Sequence, residues 1–74
     1  MPKLPVVSGK DLVKILNKIG FIELRQVGSH KFLHHKDGRR VVVPVHGNKD
    51  IPQGTLLSIL KSIEISKEDF TKML

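Results

Sequence analysis

Three of the chain's four histidines fall within six consecutive positions: His30, His34 and His35, in the stretch "VGSHKFLHH" (residues 27–35). An imidazole, with an ordinary pKa near ~6.5, takes and gives a proton at neutral pH, and it is also a common metal ligand. The cluster therefore admits three readings: a metal site, a catalytic site, or a polar strand. Strand geometry bears on the first. At ~3.3 Å per residue, His30 and His34 share a face but lie about 13 Å apart, and His35 points to the other face. Metal ligands converge within ~2.1 Å of a common centre, and the only carboxylates nearby are the isolated Glu23 and Asp37. No metal site is expected. His34 and His35 suit polar sheet positions beside basic residues. His30 differs, because it directly follows Gly28-Ser29, where a missing Cβ lets a ligand approach the backbone closely. Cleaving an RNA phosphodiester needs a base for the 2′-OH, an acid for the leaving 5′-oxygen and positive charge for the phosphorane. Such acid–base help is worth ~10²–10⁴-fold. His30 is the candidate catalytic group, with Arg25 and Lys31 as candidate cations for the transition state. The N-terminus of a helix starting near Pro52 is a further source of positive potential.

These residues need elements to hold them. Leu12, Ile15, Leu16 and Ile19 recur at helical spacing and predict a helix over residues 9–19. Ser8 can cap it, Asp11 stands three residues later, and Gly20 suits the left-handed position that ends a helix. "FIELRQ", "HKFLHH" and "RRVVVPV" then read as three strands separated by Gly28-Ser29 and Asp37-Gly38. Asp-Gly predicts a two-residue hairpin turn with both residues at positive φ, and Gly-Ser a related turn with Gly first. With that register Lys36 faces Arg39, His34 faces Val41 and His30 faces Val45, which brings His46 to the same end of the hairpin as His30. Pro44 cannot donate to a ladder, so the third strand lies at an edge or ends there. Which sheet face is the core stays open: Ile22, Leu24, Leu33 and Val42 alternate against Phe21, Phe32, Val41 and Val43, with His30 on the second set's face. A second helix is expected over residues 53–62 behind Pro52, from the stripe Leu56, Ile59, Leu60 and Ile63. Ser66 and Asp69 repeat the capping pattern before a short last helix carrying Phe70 and Met73. The order α-β-β-β-α plus a short α is an α+β arrangement with helices on one face of a three-stranded antiparallel sheet. It is also the order of the double-stranded-RNA-binding domain.

Seventy-four residues fit one domain, residues 1–74, which at this size hides only about 60–65% of the surface its unfolded chain exposes. There is no cysteine, so neither a disulfide nor a thiolate zinc site can be built. No apolar run suits a signal peptide or a membrane span; the expectation is a soluble, cytoplasmic protein. The net charge is +6 and the pI about 10.0. Residues 25–49 carry Arg25, Lys31, Lys36, Arg39, Arg40 and Lys49 against Asp37 alone, a balance of +5, whereas residues 62–74 stand at −1. The positive charge thus shares a segment with the histidines, which points to a polyanionic partner; a solvated basic surface is the plainer alternative. Arg25, Ser29, Lys31, Arg39, Arg40 and Lys49 are the RNA-binding candidates.

Several short pieces in order carry a resemblance over nearly the whole chain. They are Gly20-Phe21, Gly28-Ser29-His30, Asp37-Gly38-Arg39, the valine run into Pro44-x-His46, Gly54-Thr55-Leu56 with Ile59-Leu60-Lys61, and Ser66-x-Glu68-x-Phe70. Together they resemble the HicA family, the small mRNA-interferase toxins of HicA–HicB toxin–antitoxin pairs. The resemblance implies a fold like the double-stranded-RNA-binding domain, metal-independent cleavage of mRNA without a cofactor, and inhibition by a cognate HicB-type antitoxin. The family's catalytic histidine follows Gly-Ser or Gly-Gly, which falls on His30; His46 also falls on a family-typical position and is a candidate for a supporting role. The chain departs from the family at Lys36, where Pro often precedes Asp-Gly. It departs again at "SIEIS" (residues 62–66), which replaces an Ala-Gly-containing exit from the second helix. A non-catalytic RNA-binding module accounts equally well for order and charge, and a small protein–protein adaptor is a third reading.

Overall fold

The computed structural model describes residues 4–74. Six elements follow in order: α1 (Gly9–Lys18), β1 (Phe21–Val27), β2 (His30–His35), β3 (Arg40–Pro44), α2 (Gln53–Ser62) and α3 (Lys67–Lys72). The strands form one antiparallel sheet in the order β1-β2-β3, with the helices on one side. This is the α-β-β-β-α arrangement of the double-stranded-RNA-binding domain with a short helix appended. The caps are those the sequence suggests: the Ser8 hydroxyl accepts from the Asp11 N–H at 3.2 Å, and Ser66 accepts from the Asp69 N–H at 3.1 Å. β3 is an edge strand that ends at Pro44, where a residue without an N–H interrupts no ladder.

The hairpin register differs from the expected one by a residue. His34 pairs with Arg40 and Leu33 with Val41, so three residues, Lys36, Asp37 and Gly38, form the connection rather than two. The His35 N–H donates to the Arg39 carbonyl at 2.8 Å, and the Gly38 N–H to the His35 carbonyl at 2.9 Å. Gly38 stands at φ +99° while Asp37 does not take a positive φ. A three-residue loop needs one left-handed residue, a two-residue Asp-Gly turn needs two. Asp37 is instead held by its own side chain, which accepts from the Arg39 N–H at 3.0 Å. The other turn follows expectation: Val27 pairs with His30 across Gly28 at φ +57°.

A second irregularity lies in β1. The pairing with β2 shifts between Glu23 and Arg25, leaving Leu24 as the extra residue of a bulge. The loop and the bulge together resolve the face that the sequence leaves open, because a one-residue slip turns a strand's side chains over. Phe21, Leu33, Val41 and Val43 point toward the helices and are buried; Ile22, Leu24, Val27 and Val42 remain exposed on the far side. The core is completed by Leu12 and Leu16 of α1, Leu56 and Leu60 of α2, and Ile63 and Phe70. Gly9 opens α1 against the end of β3, where any Cβ would collide with the Pro44 carbonyl and Val45 Cα. Nearby, the Ile51 N–H donates to the Val7 carbonyl at 2.8 Å and Ser8 bridges Asp50, so the N-terminal segment straps the loop after β3 in place.

Candidate functional site

His30 is the first residue of β2 and lies on the exposed, outer face of the sheet, in a row with Val27 and Pro44. The Gly28-Ser29 turn lifts it to the sheet's end, and the Ser29 carbonyl accepts from the Val45 N–H at 2.6 Å. That bond fixes the chain leaving β3, so His46 follows at a defined place. The next turn closes with the Lys49 N–H on the His46 carbonyl at 3.0 Å. The result is an open cleft of about 330 Å³ whose walls include His30, His46, Lys49, Asp50, Pro52 and Thr55.

The floor of this cleft is the start of α2. Its N-cap is Pro52, with no side-chain cap and no acidic residue in the first turn. The first helical bond runs from the Leu56 N–H to the Pro52 carbonyl at 2.9 Å, so the N–H groups of Gln53, Gly54 and Thr55 precede it. An uncapped helix start carries partial positive charge and suits an anion. Two imidazoles, an ammonium and a helix N-terminus, opposed by the single carboxylate of Asp50, surround one opening, an arrangement that can bind a phosphodiester and move protons on either side of it.

The remaining candidates divide. Arg25 shares the outer face with His30, one row away, its guanidinium 4.8 Å from the centre of the Phe32 ring. Arg40 is exposed on the same face, opposite His34. Lys31 points to the helix side, where its Nζ lies 3.5 Å from Glu23 Oε2. Arg39 is tied into the scaffold: its Nε donates to Asp37 Oδ2 at 2.9 Å, and Nη1 donates to the Ile63 carbonyl at 2.7 Å. Its guanidinium also lies 5.1 Å from the centre of the Phe21 ring. The Arg39 backbone N–H, aided by the guanidinium, holds the Asp37 carboxyl below its ordinary value. The structure thus brings His30, His46 and Lys49 together, leaves Arg25 and Arg40 open on the outer face one and two rows from His30, and sets Lys31 and Arg39 against carboxylates. Among the described residues no group of three His, Asp or Glu side chains converges as metal ligands would.

His35 proves to be scaffold. Its Nε2–H donates to the Ile19 carbonyl at 2.9 Å, and its Nδ1 lies 3.1 Å from the Asp37 backbone nitrogen and 3.1 Å from Asp37 Oδ2, so both ring nitrogens are engaged. Its ring meets Phe21 edge to face at 5.1 Å. Asp50 and Thr55 are cleft residues that residue chemistry alone did not single out. Thr55 had a signal in the Gly54-Thr55-Leu56 piece; Asp50 had none, since its place depends on the bridge to Ser8.

A small basic α+β chain in the order of an RNA-binding domain, with two imidazoles and an anion-suited helix start in one cleft, has the parts of a nucleic-acid-directed protein. The family model of the HicA toxin of bacterial toxin–antitoxin systems matches residues 9–65, from the first residue of α1 past the exit of α2. The chain belongs to the HicA toxin family. No curated protein matches it. Membership implies a cognate antitoxin as partner, and no helix among the described residues is long and apolar enough to cross a membrane.

Proposed function

We propose that this chain is the toxin of a toxin–antitoxin pair and acts as a metal-independent endoribonuclease on mRNA, with His30 as a catalytic acid–base. The observation that carries the reading is that His30 and His46 line one cleft with Lys49 and the uncapped start of α2. In the reaction one imidazole removes the proton of a ribose 2′-OH, and the 2′-oxygen attacks the adjacent phosphorus. The P–O5′ bond breaks as a protonated group delivers its proton to the 5′-oxygen. The products are a 2′,3′-cyclic phosphate and a 5′-hydroxyl. His30 takes one of the two proton transfers, and His46 is assigned the supporting one. Lys49 and the N–H groups of Gln53, Gly54 and Thr55 face the charge that builds on the non-bridging oxygens.

Backbone phosphates fall first to Arg25, Arg40, Lys49 and the Ser29 hydroxyl. Lys31 and Arg39 enter last, because each already serves an intramolecular carboxylate. The test is single-stranded RNA incubated with wild type and with His30→Ala in excess EDTA. The expected outcome is cleavage by wild type, a loss of about 10²-fold or more in the variant, and RNA affinity within about threefold, since one neutral imidazole adds little to a phosphate-dominated contact. A variant that cuts like wild type removes His30 from the mechanism; binding by both proteins with no cleavage by either favours the RNA-binding module.

A further inference from the structure

The central strand β2 turns three side chains to the open face of the sheet, and each carries a ring: His30, Phe32 and His34. Side chains on one face of a strand recur every ~6.6 Å, roughly twice the ~3.4 Å rise of stacked bases. The interval between two consecutive rings therefore suits one planar base. Between Phe32 and His34 the face is hollow, with a volume of about 580 Å³ walled by Leu24 and Arg25 on β1 and by Arg40 and Val42 on β3. The cross-strand rows that bound it, Arg25–Phe32–Val42 and Ile22–His34–Arg40, hold one arginine each and no carboxylate. Glu23 pairs with Leu33 on the helix side. The Arg25 guanidinium lies 4.8 Å from the centre of the Phe32 ring. His34 Nδ1 is buried and meets no partner, so Nε2 is the nitrogen left for a ligand.

We propose that this hollow is a nucleobase subsite: one unpaired base of a single-stranded RNA lies between Phe32 and His34, with Arg25 and Arg40 on the phosphates to either side. Single strands are held in this manner, by bases splayed onto Phe and His rings or guanidinium planes. The rings and the aliphatic walls meet the flat faces of the base, and the two arginines meet the charge that its backbone brings. A duplex keeps its bases stacked and paired and has none to give. The face thus selects single strands, although the order of elements is that of a duplex-binding domain. The middle of the hollow lies three residues from His30, about 10 Å along β2, a span of roughly three stacked nucleotides. A base seated here sets the strand in register with the phosphodiester at His30. The inference rests on the nuclease reading for its use, but its test is one of binding.

The probes are two single-stranded RNA oligonucleotides with the same number of phosphates, one intact and one built of abasic riboses. Their affinities are measured by fluorescence anisotropy in EDTA, with His30→Ala in every protein to prevent cleavage. Phe32→Leu and His34→Leu each keep an apolar side chain and remove a ring, whereas Phe32→Tyr keeps the ring. Far-UV circular dichroism shows which variants are folded; His34→Leu, whose Nδ1 has no partner to lose, carries the test if Phe32→Leu does not fold. The intact strand is expected to bind at least about fivefold more tightly than the abasic one, a preference that falls by about threefold or more in each Leu variant. In Phe32→Tyr the preference stays within about twofold of its starting value, and abasic affinity is the same in all three. Equal affinity for the two strands overturns the proposal, because phosphate contacts alone would then account for binding. Folded Leu variants that keep the preference overturn it as well and give the face to aliphatic contact, of the kind a protein partner makes. A chain with His30 restored that does not cut, while the preference stands, removes the nuclease reading and leaves the base subsite. One that cuts without any preference does the reverse.

Discussion

The histidines of one short strand have different work, and burial and partners tell them apart. His30 is exposed and lines the cleft. The His35 side chain is 13% exposed and joins the end of α1, the Phe21 ring and the hairpin loop through both ring nitrogens. Removing an exposed ring costs little, but removing His35 leaves the Ile19 carbonyl and the Asp37 N–H without their partner and opens a gap over Phe21. His35→Ala is therefore expected to cost about 2–3 kcal/mol, read as a lower urea midpoint at unchanged slope, while His30→Ala stays within about 0.5 kcal/mol of wild type. Under conditions where His35→Ala remains folded it keeps RNA cleavage, the opposite of His30→Ala. Equal stability of the two variants would show that the bonds to Ile19 and Asp37 do not form in solution. Chain position singles out His30 behind Gly28-Ser29, and the register of the sheet shows what His35 holds.

At the scale of elements, the exit of α2 shows a family departure with a physical cost. The Ile65 N–H reaches back to the Leu60 carbonyl at 2.9 Å and the Glu64 N–H to the Lys61 carbonyl at 3.2 Å, the two bonds of a Schellman ending. That ending needs a left-handed residue, and Glu64 takes it at φ +60°, where glycine is ordinarily found. A non-glycine there costs about 1–2 kcal/mol, and a carboxylate opposes the dipole at a helix C-terminus. Glu64→Gly is expected to raise stability by about 1 kcal/mol in urea unfolding, and Glu64→Ala, which keeps the Cβ, to recover less. If Gly stabilises no more than Ala, the left-handed strain is relieved by some other adjustment. The same scale shows what the sequence could and could not convey. Helices announce themselves through period and caps, so α1 and α2 were legible to within a residue and α3 from its cap at Ser66, and the Gly-Ser turn set His30 at the start of β2. The sheet's faces were not legible, because both alternating sets were apolar. Two single-residue events, the bulge at Leu24 and the third loop residue at Lys36, decided between them. Neither leaves a mark in residue type. Asp-Gly permits a two-residue and a three-residue loop alike, and a bulge needs no glycine. The nearness of His30 and His46 was foreshadowed by the hairpin, whereas the place of Lys49 in the cleft and the commitments of Lys31 and Arg39 to carboxylates depend on faces and packing that only the folded chain reveals.

For the whole molecule, a net charge of +6 says that a polyanion is welcome but not which cations meet it. The structure separates them by what they already hold. Arg25, Arg40 and Lys49 are exposed on or beside the outer face; Lys31 lies 3.5 Å from Glu23 and Arg39 2.9 Å from Asp37. Binding RNA releases counterions in proportion to the phosphates neutralised, with a log–log salt slope of about −0.7 per contact for single strands. Three free cations therefore give a slope near −2, and recruitment of Lys31 and Arg39 would steepen it to about −3.5. Titrating single-stranded RNA binding across salt concentration in EDTA measures this directly, with His30→Ala used to prevent cleavage. Arg40→Ala is expected to flatten the slope by about 0.7 and Lys31→Ala to leave it unchanged. A wild-type slope near −3.5 that falls with Lys31→Ala would mean that RNA draws Lys31 away from Glu23, and hence that the strand wraps past the edge of the sheet to the helix side. A slope near −2 keeps RNA on the outer face and its cleft.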